Sequence, residues 1–249
     1  MKFVVTAGPT REHLDPVRFL SNPSTGKMGF AVARAAAMRG HEVALVAGPV
    51  SLKTPKGVRR IDVTSAREML AAVEKELFSN SRDMVRYSSG RVGDAPLPVG
   101  AALRADRISQ CSMVFIATAA VADWRPAKCA ARKLKKGQMS GILKLVRNPD
   151  ILKTVARRAK HQAPARASTI FVGFAAETND VISEARRKCR EKNLDMIVAN
   201  DVTEKGSGFG VDTNRVTLVR KDGSVDRLPL MTKLAVARRI VRECEDLCP

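Results

Sequence analysis

At 249 residues and 45% hydrophobic content, the chain is long enough to bury a sizeable core and too apolar for intrinsic disorder. No apolar run approaches the roughly 20 residues that cross a bilayer, which excludes a membrane-spanning helix. A net charge of +19, from 44 Lys and Arg against 25 Asp and Glu, points to anionic partners or to a host with a basic proteome. Aromatic content of only 4% and basic residues scattered along the chain argue against a dedicated nucleic-acid reader.

Residues 2–6 read as a short apolar strand rather than a signal peptide, so a cytoplasmic enzyme is the expectation. A long Pro-containing loop follows over 7–24, then a helix over 28–39 stopped by Gly40. Strands are predicted at 42–47 and 58–63, and Thr64 or Ser65 is placed to cap a helix over 66–77 with Glu68 in its first turn. Residues 80–106, with Ser88-Ser89-Gly90, Gly93, Pro96 and Pro98, break the rhythm and read as an insertion with a helical piece near 101–107. The sheet resumes at 111–117, and a further strand is predicted at 142–146 after a basic loop. Asn148-Pro149-Asp150 opens a helix to about residue 159, with Pro149 at its first position. Strands at 169–173 and 195–199 flank a helix over 179–191. Residues 215–219 and 225–230 form a hairpin around Lys221-Asp222-Gly223-Ser224, and 232–243 is a closing helix. This alternation predicts an α/β fold: a three-layer, Rossmann-like, doubly wound and mainly parallel sheet with a C-terminal β-hairpin extension, in one domain over 1–249.

The most informative stretch is Ala117-Thr118-Ala119-Ala120-Val121-Ala122-Asp123-Trp124-Arg125-Pro126. It leaves a buried strand with small side chains, where a ligand can approach the backbone; in open α/β sheets ligands bind beyond the carboxyl ends of strands. Asp123 is either a ligand for a substrate amide or hydroxyl or the head of an Asp-turn. Arg132-Lys133-Leu134-Lys135-Lys136-Gly137 follows, either a triphosphate clamp or a solvated face. No G-x-G-x-x-G follows the first strand. Gly26-Lys27 resembles the end of a phosphate loop, but Met28 replaces Ser or Thr and Ser21 replaces the first glycine. An ordinary dehydrogenase or P-loop enzyme is therefore disfavoured. Ser21 to Gly29 still leads into a helix start, where free N–H groups favour anions, and Asn22 offers a neutral donor and acceptor; a plain turn explains the same residues. Phe174, after Phe171-Val172-Gly173, either packs on a base or belongs to the core. Arg186, Arg187, Lys188 and Lys192 recur at near-helical spacing, where one or two reach a phosphate. The five cysteines (111, 129, 189, 244, 248) are odd in number and form no CxxC pair, and three scattered histidines build no metal site. Cys244 and Cys248 read as two helix-end thiols.

In order, Thr6-Ala7-Gly8-Pro9-Thr10-Arg11-Glu12, Asp15-Pro16-Val17-Arg18, Asn22 to Gly29, Ala119 to Pro126, Lys133-Leu134-Lys135-Lys136, Asn148-Pro149-Asp150, Val172 to Thr178 and Asn193 to Val202 resemble the phosphopantothenate–cysteine ligase family. The resemblance implies amide formation between 4′-phosphopantothenate and cysteine in coenzyme A biosynthesis, through an acyl-nucleotidylate with release of pyrophosphate and nucleoside monophosphate. It implies a nucleoside triphosphate co-substrate, with the 22–29 segment leaning toward CTP over ATP, Mg²⁺, and a homodimer with residues of both subunits near each site. A stand-alone form without a fused decarboxylase is expected, as is no membrane partner and no specific nucleic acid. By the same carry-over, Lys133 contacts the triphosphate, Asn22 handles the acyl intermediate, and Arg18 binds substrate phosphate across the dimer. Ala119, Ala120 and Asp123 hold the pantothenate region. Ala117, Thr118, Ala119, Asp123, Lys133, Pro149, Asp150, Ile151, Leu152, Phe174, Lys188 and Lys192 surround the nucleotide. His13 stands where proline is common, and neither the 80–106 insertion nor the +19 charge is a family requirement. The alternatives are a catalytically inactive nucleotide-binding or regulatory protein on the same fold and, on charge alone, a nucleic-acid binder.

Overall fold

The computed structural model describes residues 1–78, 113–135, 141–162, 169–177, 180–201, 203–204, 206–208 and 210–248. In chain order the elements are β1 (Lys2–Ala7), β2 (Arg11–His13), β3 (Phe19–Ser21), α1 (Lys27–Met38), β4 (Glu42–Ala47), β5 (Arg59–Asp62) and α2 (Ala66–Phe78). There follow β6 (Met113–Ala117), β7 (Trp124–Pro126), β8 (Leu145–Arg147), α3 (Ile151–Gln162), β9 (Thr169–Glu177), α4 (Val181–Lys192) and β10 (Met196–Asp201). The chain closes with β11 (Thr213–Asn214), β12 (Thr217–Arg220), β13 (Val225–Arg227), β14 (Met231–Thr232) and α5 (Lys233–Asp246).

The central sheet runs β13-β12-β10-β9-β6-β1-β4-β5. From β5 to β10 every pairing is parallel, and β12 and β13 add the antiparallel hairpin extension. Near-continuous apolar runs in β1, β4 and β6 are what a parallel strand covered on both faces requires. One face packs Phe3, Val5, Leu45 and Ile116 against α1 and α5; the other packs Val4, Phe115, Phe171 and Ile197 against α2, α3 and α4. The three-layer expectation holds. The chain winds from β1 outward through β4 and β5, then returns to β6 and winds the other way, so the topological switch point lies between β1 and β6.

The differences from the sequence reading have local causes. The predicted loop over 7–24 contains the β2–β3 hairpin, too short to show a period. The strand predicted at 142–146 is confined to Leu145–Arg147, which pairs with β7 out of the main sheet. β9 extends to Glu177, four residues past its last β6 partner at Gly173, because β10 continues to pair with it. Pro149 lies ahead of α3, and Asp150 caps that helix by accepting from the Lys153 amide at 3.0 Å. Of the two capping candidates for α2, Ser65 accepts from the Glu68 amide at 3.3 Å, and buried Glu12 accepts from the Ala66 amide at 2.9 Å. The insertion predicted at 80–106 and Lys136 lie outside the described residues.

Thr232 caps α5, its hydroxyl accepting from the Ala235 amide at 3.3 Å. Thr232→Ala is expected to cost about 1 kcal/mol, seen as a fall in Tm of about 2–4 °C in a thermal melt.

Candidate functional site

A cavity of about 430 Å³ opens at the carboxyl ends of β1, β6, β9 and β10, at the switch point. Its size suits a small-molecule ligand. The wall is stitched from polar backbone contacts that follow from Thr and Ala at the strand ends. Thr118 Oγ1 donates to the Thr6 carbonyl at 2.5 Å, the Ala120 amide to the Gly8 carbonyl at 2.9 Å, and the Ala122 amide to Thr10 Oγ1 at 3.0 Å. These bonds hold residues 118–122 as an extended ledge beside 6–10.

Helix α1 enters the cavity at its N-terminus. Gly26 adopts φ 76°, a left-handed conformation that leaves the first turn without a side-chain cap. Gly29 sits so close to the strand tips that a Cβ there would lie 2.4 Å from Thr118 Oγ1 and 2.5 Å from the Ala7 Cβ. The uncapped amides of this turn are suited to an anion. Asn22 also lines the cavity, its Nδ2 donating to the Val121 carbonyl at 3.0 Å.

Of the fifteen residues singled out in the sequence, the cavity gathers Asn22, Ala117, Thr118, Ala119, Ala120, Asp123, Pro149, Asp150, Ile151, Leu152, Phe174, Lys188 and Lys192. Phe174 reaches it because β9 overhangs β6, and it also packs on the α1–α5 core. Arg18 and Lys133 do not line it. Lys133 is exposed. Arg18 instead binds Asp15, whose side chain is fully buried: Oδ2 accepts from Arg18 Nε at 3.0 Å and Nη2 at 2.5 Å, and from the Leu134 amide at 3.2 Å. The Arg18 guanidinium holds the Asp15 carboxyl well below the usual carboxylate range, against the opposing effect of burial.

Sequence reasoning missed Lys27, Asn148, Asn200, Asn214 and Lys233, which also line the cavity. Lys27 Nζ holds Asp212 at 2.7 Å and the Gly210 carbonyl at 3.1 Å. Lys233, buried at the start of α5, donates to the Gly208 and Val211 carbonyls at 2.9 and 2.6 Å. Burial pushes the Lys233 ammonium pKa down, and the Lys27 charge adds to this. The pair thus ties the Gly-rich segment before β11 to two helix starts. Helical periodicity predicts only that Lys27 and Lys233 lie at the starts of the helices over 28–39 and 232–243; it carries no signal that two helices converge. Lys27, Asn148 and Asn200 each fall inside a motif quoted above without being singled out; the Asn148 side chain donates to the Ala122 carbonyl at 2.8 Å.

Four lysines (27, 188, 192 and 233) and two aspartates (123 and 150) line the cavity, which offers an anionic ligand several cationic donors. Lys188 pairs with Glu177 at 2.5 Å and Lys192 with Asp150 at 2.8 Å. Among the described residues, no group of three or more His, Cys, Asp or Glu could hold a metal ion, and no helix is long and apolar enough to cross a membrane.

Comparison with known proteins matches residues 1–93 and 101–247 to the DFP family, the DNA/pantothenate metabolism flavoprotein C-terminal domain. The chain is 44% identical over 242 residues to the coenzyme A biosynthesis bifunctional protein CoaBC of Vibrio cholerae, covering 96% of this chain and 51% of that protein. It is 44% identical over 241 residues to CoaBC of Bacillus subtilis, covering 96% and 50%. The chain therefore spans about half the length of these curated relatives. A crystal structure of the C-terminal domain of CoaBC matches with a TM-score of 0.69 and 38% identity, over 99% of this chain and 94% of that one. With its doubly wound sheet and its switch-point cavity, the chain belongs to the DNA/pantothenate metabolism flavoprotein C-terminal domain family.

Proposed function

We propose that this chain is a phosphopantothenate–cysteine ligase of coenzyme A biosynthesis. The observation that carries the reading is the convergence of thirteen of the fifteen residues implied by the ligase resemblance on one lysine-lined cavity. The 38% identity to the C-terminal domain of CoaBC supports it. In the first step a carboxylate oxygen of 4′-phosphopantothenate attacks the α-phosphorus of CTP. The bond to the β-phosphate breaks, and pyrophosphate leaves. In the second step the cysteine amine attacks the acyl carbon, sheds a proton, and expels the nucleoside monophosphate. Charge gathers first on phosphate oxygens and then on the tetrahedral oxyanion. Lys188, Lys192 and the first turn of α1 face the first charge, and Asn22 supplies a donor for the second. Ala119, Ala120 and Asp123 hold the pantothenate arm. The Asp123 and Asp150 carboxylates at the cavity are the oxygen ligands that would meet a Mg²⁺ ion carried on the phosphates, where it would supply charge neutralisation.

The same reading includes a cytoplasmic homodimer. Val17, Phe19, Trp124, Ile142, Leu143 and Leu145, on and around the two small hairpins, are exposed large apolar residues, with Ile142 85% exposed. A second copy covering this patch would let Arg18 and Lys133, which lie outside their own chain's cavity, serve the neighbouring site.

The test is incubation with 4′-phosphopantothenate, cysteine and Mg²⁺, with CTP or ATP in parallel, followed by mass spectrometry, and light scattering on the same sample. Phosphopantothenoylcysteine with cytidine monophosphate from a dimer is the expected result. Neither amide nor pyrophosphate with either nucleotide, from folded dimer, would favour an inactive nucleotide-binding protein.

A further inference from the structure

We propose that Asp15 is a positioning residue that makes Arg18 and the basic loop carrying Lys133 a single unit, so that binding of the two anionic substrates is coupled. The inference rests on the ligase reading of Arg18 and Lys133, and it assigns a role to a residue that touches neither substrate. The two carboxylate oxygens of Asp15 do different work. Oδ1 accepts from the Val17 and Arg18 amides, each at 2.9 Å, which is all that a local Asx-turn needs. Oδ2 is spent on the Arg18 guanidinium and on the Leu134 amide, 119 residues away in sequence. Arg18 Nη2 closes the ring by donating to the Leu134 carbonyl at 3.0 Å, and the Ala130 amide donates to the Leu14 carbonyl at 2.8 Å. Leu134 is thus gripped at both its amide and its carbonyl by one ion pair, whose Asp15 half is buried and whose Arg18 half is partly exposed. Its neighbours Lys133 and Lys135 are left exposed on either side.

The Asp15 carboxylate is fully buried, so drawing Arg18 away from it leaves a buried charge short of its cationic partner, which is costly. A phosphate that draws on Arg18 therefore acts on the bond network that also sets the Leu134 backbone. By thermodynamic linkage, a ligand on the basic loop acts back on Arg18 by the same factor. The chemistry gives such coupling a use, because phosphopantothenate and a nucleoside triphosphate are both anionic and repel each other when brought into contact.

Asp15→Asn separates this role from a merely structural one. The amide retains Oδ1 for the turn but sets an NH₂ against three donors in place of Oδ2. Dissociation constants for the α,β-methylene analogue of CTP, which cannot be cleaved at the α-phosphate, would be measured with and without saturating 4′-phosphopantothenate. The wild-type protein is expected to bind the analogue about 5-fold or more tightly when phosphopantothenate is present. In Asp15→Asn that ratio is expected to fall to about 1, with faster hydrogen exchange at the Leu134 amide. Arg18→Lys keeps the cation but loses the fork that reaches Leu134, so it should abolish the coupling as well and serves if Asp15→Asn does not fold. An unchanged ratio in either folded variant, or a wild-type ratio of about 1, overturns the coupling role while leaving the ligase reading intact. A wild-type protein that binds neither compound overturns both.

Discussion

Asn22→Asp is expected to lower amide formation by about 10²–10³-fold, the usual cost of losing one oxyanion donor. The substitution changes almost no volume. It replaces the Nδ2 donor, which now points to the Val121 carbonyl at 3.0 Å, with an oxygen facing that carbonyl. It also adds a negative charge on the rim where, in the proposed ligase reaction, the tetrahedral oxyanion gathers its own. The first step needs no donor at this position, so a single-turnover experiment should still release pyrophosphate while the amide fails to form. Amide formation within about threefold of wild type, from folded protein, would remove Asn22 from the mechanism.

Gly48→Ala should be the most damaging of the small substitutions to the fold. A Cβ at this position would lie 1.8 Å from the Pro9 carbonyl oxygen, which is backbone and has no rotamer with which to retreat. The Gly48 amide also donates to the Ala7 carbonyl at 2.9 Å, which pins the end of β4 to the end of β1. Relief requires separating the two strand ends beneath the cavity. A loss of about 3 kcal/mol is expected, equivalent to a fall in Tm of about 6–12 °C. A melt within about 2 °C of wild type would mean that the Pro9 turn yields more easily than its geometry implies.

The central architecture was readable because its signals are local. Apolar runs at 2–6, 42–47 and 111–117, separated by helical periods, specify parallel strands covered on both faces. The small residues of 117–123 marked the ligand end of β6 for the same reason. What could not be read depends on contacts far apart in the chain. Lys27 and Lys233 look like the opening residues of two unrelated helices until the fold brings both onto the 208–212 segment. Glu12 and Asp15 sit in a stretch that composition describes only as loop. Their burial follows from the caps and loop that they serve, at Ala66 and Leu134. The overhang of β9 was missed because Gly173 looks like a strand terminus, whereas it gives way to Leu194 and Leu152: a Cβ there would lie 2.8 and 3.0 Å from their methyl groups.

Lys188 and Lys192, one turn apart on α4, reach the cavity already holding carboxylates from two other elements, β9 and the cap of α3. An anion that takes either lysine therefore releases a carboxylate and does not meet a bare charge, so the event is ion exchange. The net Coulomb gain per lysine is small, and the charge field at these two lysines stays modest despite the chain's +19. Simple anions gain little from such a trade. Only a ligand whose phosphates span several exchange positions at once collects a worthwhile sum, so selection among anions rests on spacing more than on charge.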